Sequence, residues 1–284
     1  MSNGAEQLDA ATLVDKIVFA GGVLLFARWL ITTSLGRAAL ADSLPRRNRM
    51  PPYTPFIPFG IWLAGTVILQ SIVHAVLGSP AGWRGPFMDN LVFCIGAMAT
   101  IALILLIARF TFARGLRGFG LRPKTIPRDL GWAFVNLFAV WPIVGAAIVV
   151  TIGIGKTLMG PQFELPKHVG LKIITESPAL PLQILIVFLA VVIAPAVEEM
   201  LFRGMIQTTL RSSIGRPWPA IIITSVMFAV VHIDNPTHWP ALFALAMGLG
   251  YSYEKSGSLF RPIFMHALFN GLTIAAALSE SLPT

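Results

Sequence analysis

One cysteine, Cys94, stands in the whole sequence, inside an apolar run. A disulfide within the chain is therefore impossible, and a zinc site built on several cysteines is excluded. Charge is also scarce. Asp, Glu, Lys and Arg make up 12% of the 284 residues, where soluble domains carry about 25%. Several motifs that announce hydrolytic chemistry are missing. There is no H-E-x-x-H, no G-x-S-x-G and no pair of aspartates inside apolar runs. The turn Lys255-Ser256-Gly257-Ser258 does not match a nucleophile elbow. Tandem repeats and low-complexity tracts are absent. So is any basic patch interleaved with aromatics, which argues against nucleic acid as a partner despite a net charge of +8.

What remains is apolar. Hydrophobic residues make up 55% of the chain, and mean hydropathy is +0.75. Repeated runs near spanning length predict an all-α, polytopic transmembrane bundle of about eight spans. They fall roughly at 17–35, 56–77, 91–108, 130–152, 180–197, 218–231, 239–253 and 260–278. The first follows a polar, mildly acidic start with only Lys16 before it, so it reads as a retained span. Residues 1–129 are expected to form three amino-terminal spans with basic loops, and 130–284 the functional core. Arg37, Arg46, Arg47 and Arg49 follow span one. Arg109, Arg114, Arg117, Arg122, Lys124 and Arg128 follow span three, and Arg203, Arg211 and Arg216 follow span five. The loops after spans two and six contain one Lys or Arg and none: Arg84 in the former, and only Asp234 as a charge in the latter. The bias of Lys and Arg towards the cytoplasm then places the odd loops inside and both termini outside. His74, His168 and His238 read as interfacial, packed or solvated histidines.

Ionisable groups at membrane depth are costly and are functional candidates by default. Glu198 and Glu199 close the fifth run, just after Pro195, which frees a backbone carbonyl and can kink the helix. A separate polar helix, 198–211, is expected to follow. On a helix Glu199 and Arg203 share a face in the favourable order for an ion pair. Glu198 points about 100° away, towards a cavity. Two solvated charges at a helix end are the bland alternative. Phe228 and His232 share a face of span six, where a lone histidine is more often structural. His266 and Asn270 share a face of the last span and need polar partners in a dry setting. They read equally as oxyanion donors or as an interhelical hydrogen-bond cluster. Taken together, a carboxylate base, a histidine partner and an oxyanion site are the parts for water attack on an amide. The same Glu and His side chains are also of a type that ligates zinc.

These three motifs, Glu198-Glu199-x-x-x-Arg203, Phe228-x-x-x-His232 and His266-x-x-x-Asn270, come in one order on late spans. With the flanks Leu201-Phe202-Arg203-Gly204 and Gly257-Ser258-Leu259, they resemble the CAAX-protease and bacteriocin-processing family of intramembrane proteases, similar to CAAX prenyl protease 2. The resemblance covers about residues 130–275. It implies a hydrolase of metalloendopeptidase-like type acting on a membrane-associated or lipidated peptide. Glu198 would activate water, and His232 would hold that water or shuttle its proton. His266 and Asn270 would stabilise the oxyanion, while Glu199, Arg203 and Phe228 would support the site. Members are often called zinc-dependent, with Glu198, His232 and His266 the implied ligands, and a metal-free glutamate mechanism has also been argued. The rival expectations are a non-catalytic membrane scaffold or bacteriocin-immunity-type protein on the same fold, and a transporter. A transporter would show paired halves with broken helices, and no such symmetry is visible.

Overall fold

The computed structural model describes residues 2–166, 169–233 and 236–281, with side chains from residue 16 to 280. His168 and Asp234 lie outside the described residues. Among the described residues the regular structure is helical with no strand. One isolated bridge joins Asn48 to Phe112.

The helices are α1 Ser2–Thr32, α2 Phe56–Leu77, α3 Arg84–Thr111, α4 Ile126–Met159, α5 Val169–Glu176, α6 Leu180–Ile214, α7 Pro217–Val231, α8 Trp239–Ser256 and α9 Phe260–Ser281. Most boundaries follow local chemistry. Gly78, Gly160, Gly215 and Gly257 close α2, α4, α6 and α8 at positive φ, the conformation that glycine tolerates best. Prolines occupy the first turn of α4, α6, α7 and α8, where the missing N–H costs nothing.

Five helical stretches among the described residues are long and apolar enough to cross a membrane: Phe56–Leu77, Arg84–Thr111, Leu116–Met159, Leu180–Ile214 and Phe260–Glu280. Large apolar side chains such as Leu24, Ile31, Phe110, Val149 and Leu158 point outward. On a soluble surface such a girdle would be an aggregation liability, whereas a bilayer solvates it. The chain is an integral helical bundle. The expected count of about eight is not reached by these five. Helix α7, with 15 residues, rises about 22 Å, short of the roughly 30 Å hydrocarbon core.

A sequence expectation fails in α6. A span ending at Val197 and a separate polar helix were expected, and the structure has one continuous helix of 35 residues. Glu198 and Glu199 lie near its midpoint. From Val197 to Thr208 every residue is buried, and the segment packs against α3, α7, α8 and α9. Its polar residues face protein on all sides, which removes the need for a helix end at the first charge.

Two close approaches tighten the bundle. Gly22 of α1 abuts the Phe138 carbonyl and Pro142 of α4, and Gly204 of α6 abuts the Phe119 ring. A side chain at either position would push the partners apart.

The basic loops gather at one end. Arg49 N donates to Thr111 O and Ala113 N to Arg47 O, which zips the loop after α1 to the loop after α3. Leu259 N donates to Gly120 O at 3.0 Å. Arg211 pairs with Glu254 at 3.0 Å and reaches Ser43 O at 3.1 Å.

Candidate active site

Helix α6 positions the two carboxylates through an irregular backbone. Residues Leu189–Ile193 and Met200–Gln207 are wound as π-helix, on either side of the α-helical turn Ala194–Glu199. π segments are rare and concentrate at functional sites. Pro195 has no N–H, so a carbonyl one turn earlier loses its intrahelical partner. Asn270 of α9 supplies the replacement: its Nδ2 donates to Ala190 O at 2.7 Å. One asparagine thus satisfies the wide turn and ties α9 to α6.

The two glutamates have different surroundings. Glu199 is fully buried. Its Oε1 accepts from Arg203 Nη1 at 2.9 Å and from His266 Nδ1 at 3.0 Å. Arg203, also fully buried, donates Nη2 to Ala246 O at 3.2 Å and lies 4.6 Å above the Phe228 ring. Glu199 is therefore charge-compensated in place. Glu198 is 9% exposed. Among the described residues its Oε2 has no hydrogen-bond partner. The nearest opposing group is His232 Nε2 at 4.0 Å, beyond direct hydrogen-bond reach.

His232 caps α7 with its ring held at one edge and one face. Nδ1 lies 2.7 Å from Phe228 O, and the Phe228 ring centroid is 4.8 Å from that of the imidazole. A carbonyl can only accept, so Nδ1 carries a proton and donates to it, and Nε2 is the ring nitrogen turned towards Glu198. Trp239, at the start of α8, donates its indole N–H to His232 O at 3.0 Å and fixes the backbone at the same point. Phe228 is fully buried and also lies 5.8 Å from the His266 ring. It is the common wall between both histidines and Arg203.

The structure brings Glu198, Glu199, Arg203, Phe228, His232 and His266 into one cluster, with Asn270 joined to it through α6. His266 Nδ1 is committed to Glu199. Among the described residues no three His, Cys, Asp or Glu side chains converge as a metal-holding group. The sequence reading missed Trp239, because nothing in a Trp-Pro pair seven residues downstream signals a bond to a histidine carbonyl. It also missed the ion pair of Arg261 with Asp129 at 3.1 Å, which anchors the start of α9 to α4. Both members are buried, yet their separation of more than one hundred residues leaves no spacing signal.

Residues 180–272 match the family model described as type II CAAX prenyl endopeptidase Rce1-like. An uncharacterised 24.3 kDa protein of Escherichia coli is 29% identical over 46% of this chain, which spans 60% of that relative's length. "Putative membrane peptidase YdiL" of Bacillus subtilis is 26% identical over 69% of this chain and 75% of its own. The uncharacterised protein YpbD of the same organism is 30% identical over 50% of this chain and 70% of its own. No solved structure gives a significant match.

Proposed function

We propose that this chain, which belongs to the type II CAAX prenyl endopeptidase Rce1-like family, is an intramembrane endopeptidase that cleaves a peptide bond with water activated between Glu198 and His232. The membrane-protease class follows from the family; the chemistry is read from the site. One observation carries it: a buried carboxylate oxygen without a partner faces a histidine nitrogen 4.0 Å away. A water about 2.8 Å from both atoms fits that gap with ordinary hydrogen bonds. Glu198 takes a proton from the water as it attacks the scissile carbonyl, and His232 holds the water and relays the proton to the leaving amine.

The oxyanion falls to α9. The second N–H of Asn270 Nδ2 is not used by Ala190, so it is available to donate. His266, whose ring is oriented by Nδ1 donating to Glu199, is the second group assigned to the oxyanion. Arg203 and Phe228 hold this pair in register. The residues present do not fit a three-ligand catalytic zinc, since His266 is turned to Glu199. The proposed mechanism accordingly uses side chains and water. The substrate is a membrane-associated or lipidated peptide. The core is 130–284, the arginine-rich end faces the cytoplasm, and the termini face outward.

The test is cleavage by purified protein. Glu198→Gln and His232→Ala are expected to lose at least about 100-fold in kcat, the low end for a general acid–base group. Both should keep the thermal stability of the parent. Trapping on Glu198→Gln identifies the substrate, and metal analysis of active protein checks the metal-free scheme. Full activity in either variant overturns the assignment, and stoichiometric zinc in active protein overturns the metal-free part.

A further inference from the structure

At the end of the bundle away from the arginine loops, three side chains from three elements meet. His74 lies in the last turn of α2, Asp89 in the second turn of α3, and Ser79 in the connection between them. His74 Nε2 is 2.6 Å from Asp89 Oδ1, and Ser79 Oγ is 3.0 Å from His74 Nδ1. The backbone is shaped for this. Gly78, at φ +75°, ends α2 and donates to His74 O at 3.0 Å, turning the chain so that Ser79 comes back onto the ring. Gly85 lies directly beneath the next residue, where a Cβ would come within 2.8 Å of Pro80 O. Gln70 Nε2 donates to Asp89 O at 3.2 Å and fixes the register of the two helices. Ser79 itself is exposed.

We propose that Ser79 is a base-activated nucleophile, with His74 as its general base and Asp89 holding the imidazole, that accepts the acyl group of an activated ester presented at the membrane surface. This site is separate from the Glu198 cluster and does not rest on the peptidase reading. An ionised carboxylate can only accept, so Asp89 takes the Nε2–H and leaves the Nδ1 lone pair facing the serine hydroxyl. Which ring nitrogen serves as base is immaterial, provided the carboxylate orients the other.

The step balances without a co-reactant. Ser79 Oγ bonds the acyl carbon, the ester C–O bond breaks, and the hydroxyl proton passes to His74 Nδ1. His74 then delivers that proton to the leaving alcohol. Water, deprotonated by the same nitrogen, releases the acid and restores the serine. The first turn of α3 packs under Ser79–Pro80. The positive end of that helix, about half an elementary charge, is therefore close to the connection that carries Ser79. Trp83, exposed in the same connection, with Arg84 over its ring at 5.6 Å, suits the membrane–water boundary.

The experiment uses the full chain carrying Glu198→Gln, so that the other site is silent, and a fluorophosphonate probe with peptide mapping of the adduct. The adduct is expected on Ser79 and absent in Ser79→Ala, a change at an exposed position that leaves both helices intact. Labelling should slow by at least about tenfold in His74→Ala and several-fold in Asp89→Asn. Absence of label on Ser79, or label formed at the parental rate in His74→Ala, overturns the proposal. So does a label only on another residue. Size-exclusion profiles of each variant show whether a slowed reaction reflects lost folding, and an unfolded His74→Ala is replaced by His74→Gln.

Discussion

Adjacent carboxylates with identical side chains do unlike jobs because of what faces them. Glu199 has Arg203 at 2.9 Å and His266 at 3.0 Å, whereas Glu198 has only His232, at 4.0 Å. Replacing Glu199 by Gln leaves Arg203 buried without its counter-charge. Breaking such a buried pair costs roughly 3–5 kcal/mol. A large fall in thermal unfolding temperature is the expected result, against little change for Glu198→Gln. Equal stability of the two variants would show that the division of roles is wrong. This contrast was half legible in the sequence. The spacing of four between Glu199 and Arg203 points to the ion pair, and the order of the three motifs points to the clustered residues. The bond from His266 to Glu199 was not legible, because the partner of a side chain across two helices depends on how they rotate against each other.

At the scale of the helix, α6 shows why hydropathy alone misplaces a boundary. The apolar run stops at Val197, and a window average reads the charges beyond it as an exit from the membrane. The structure keeps the helix going because Val197–Thr208 is enclosed by protein. The π winding was not legible either. It depends on Pro195, on the Asn270 bond to Ala190 and on the contact of Gly204 with Phe119. Only Pro195 announces itself locally. Pro195→Ala restores a backbone donor, and in a helix interior that substitution relieves a penalty of about 3 kcal/mol. The expected variant is at least as stable as the parent yet less active by tenfold or more. An N–H at 195 competes with Asn270 for the freed carbonyl and rotates Glu198 away from His232. Unchanged kcat in a stable Pro195→Ala would show that the winding is incidental. Helix α9 depends on a second anchor, Arg261 on Asp129. Asp129→Asn should lower the unfolding temperature sharply, and the double variant Asp129→Asn with Arg261→Met should recover much of it. The recovery is expected because removing both charges avoids an unpaired one in the interior. No recovery would place the effect in packing around Trp132 and not in the charge pair.

Across the whole molecule, the bundle sorts its loops by charge. The connections after α1 and α3 are zipped by the bridge of Asn48 with Phe112, and the turn after α8 joins them through Leu259 and Gly120. Exposed Arg47, Arg49, Arg114, Arg117, Arg122 and Lys124 therefore share one end. The connection after α4, with Pro161 and Gln162, lies at the other. Crossing a bilayer with so many guanidinium groups is far costlier than retaining them, so the arginine-rich end is expected on the cytoplasmic side. The same orientation puts Ser79 and His74 on the outer face, where an ester substrate would have to arrive from outside the cell. The sequence makes the test clean, because Cys94 is the lone cysteine and is buried. In a Cys94→Ala background, Lys124→Cys should react with a membrane-impermeant maleimide only after the cells are permeabilised. Gln162→Cys should react in intact cells. The reverse pattern would invert the bundle, moving the arginine-rich end and the Ser79 relay to the opposite compartments while leaving the internal geometry of both sites untouched.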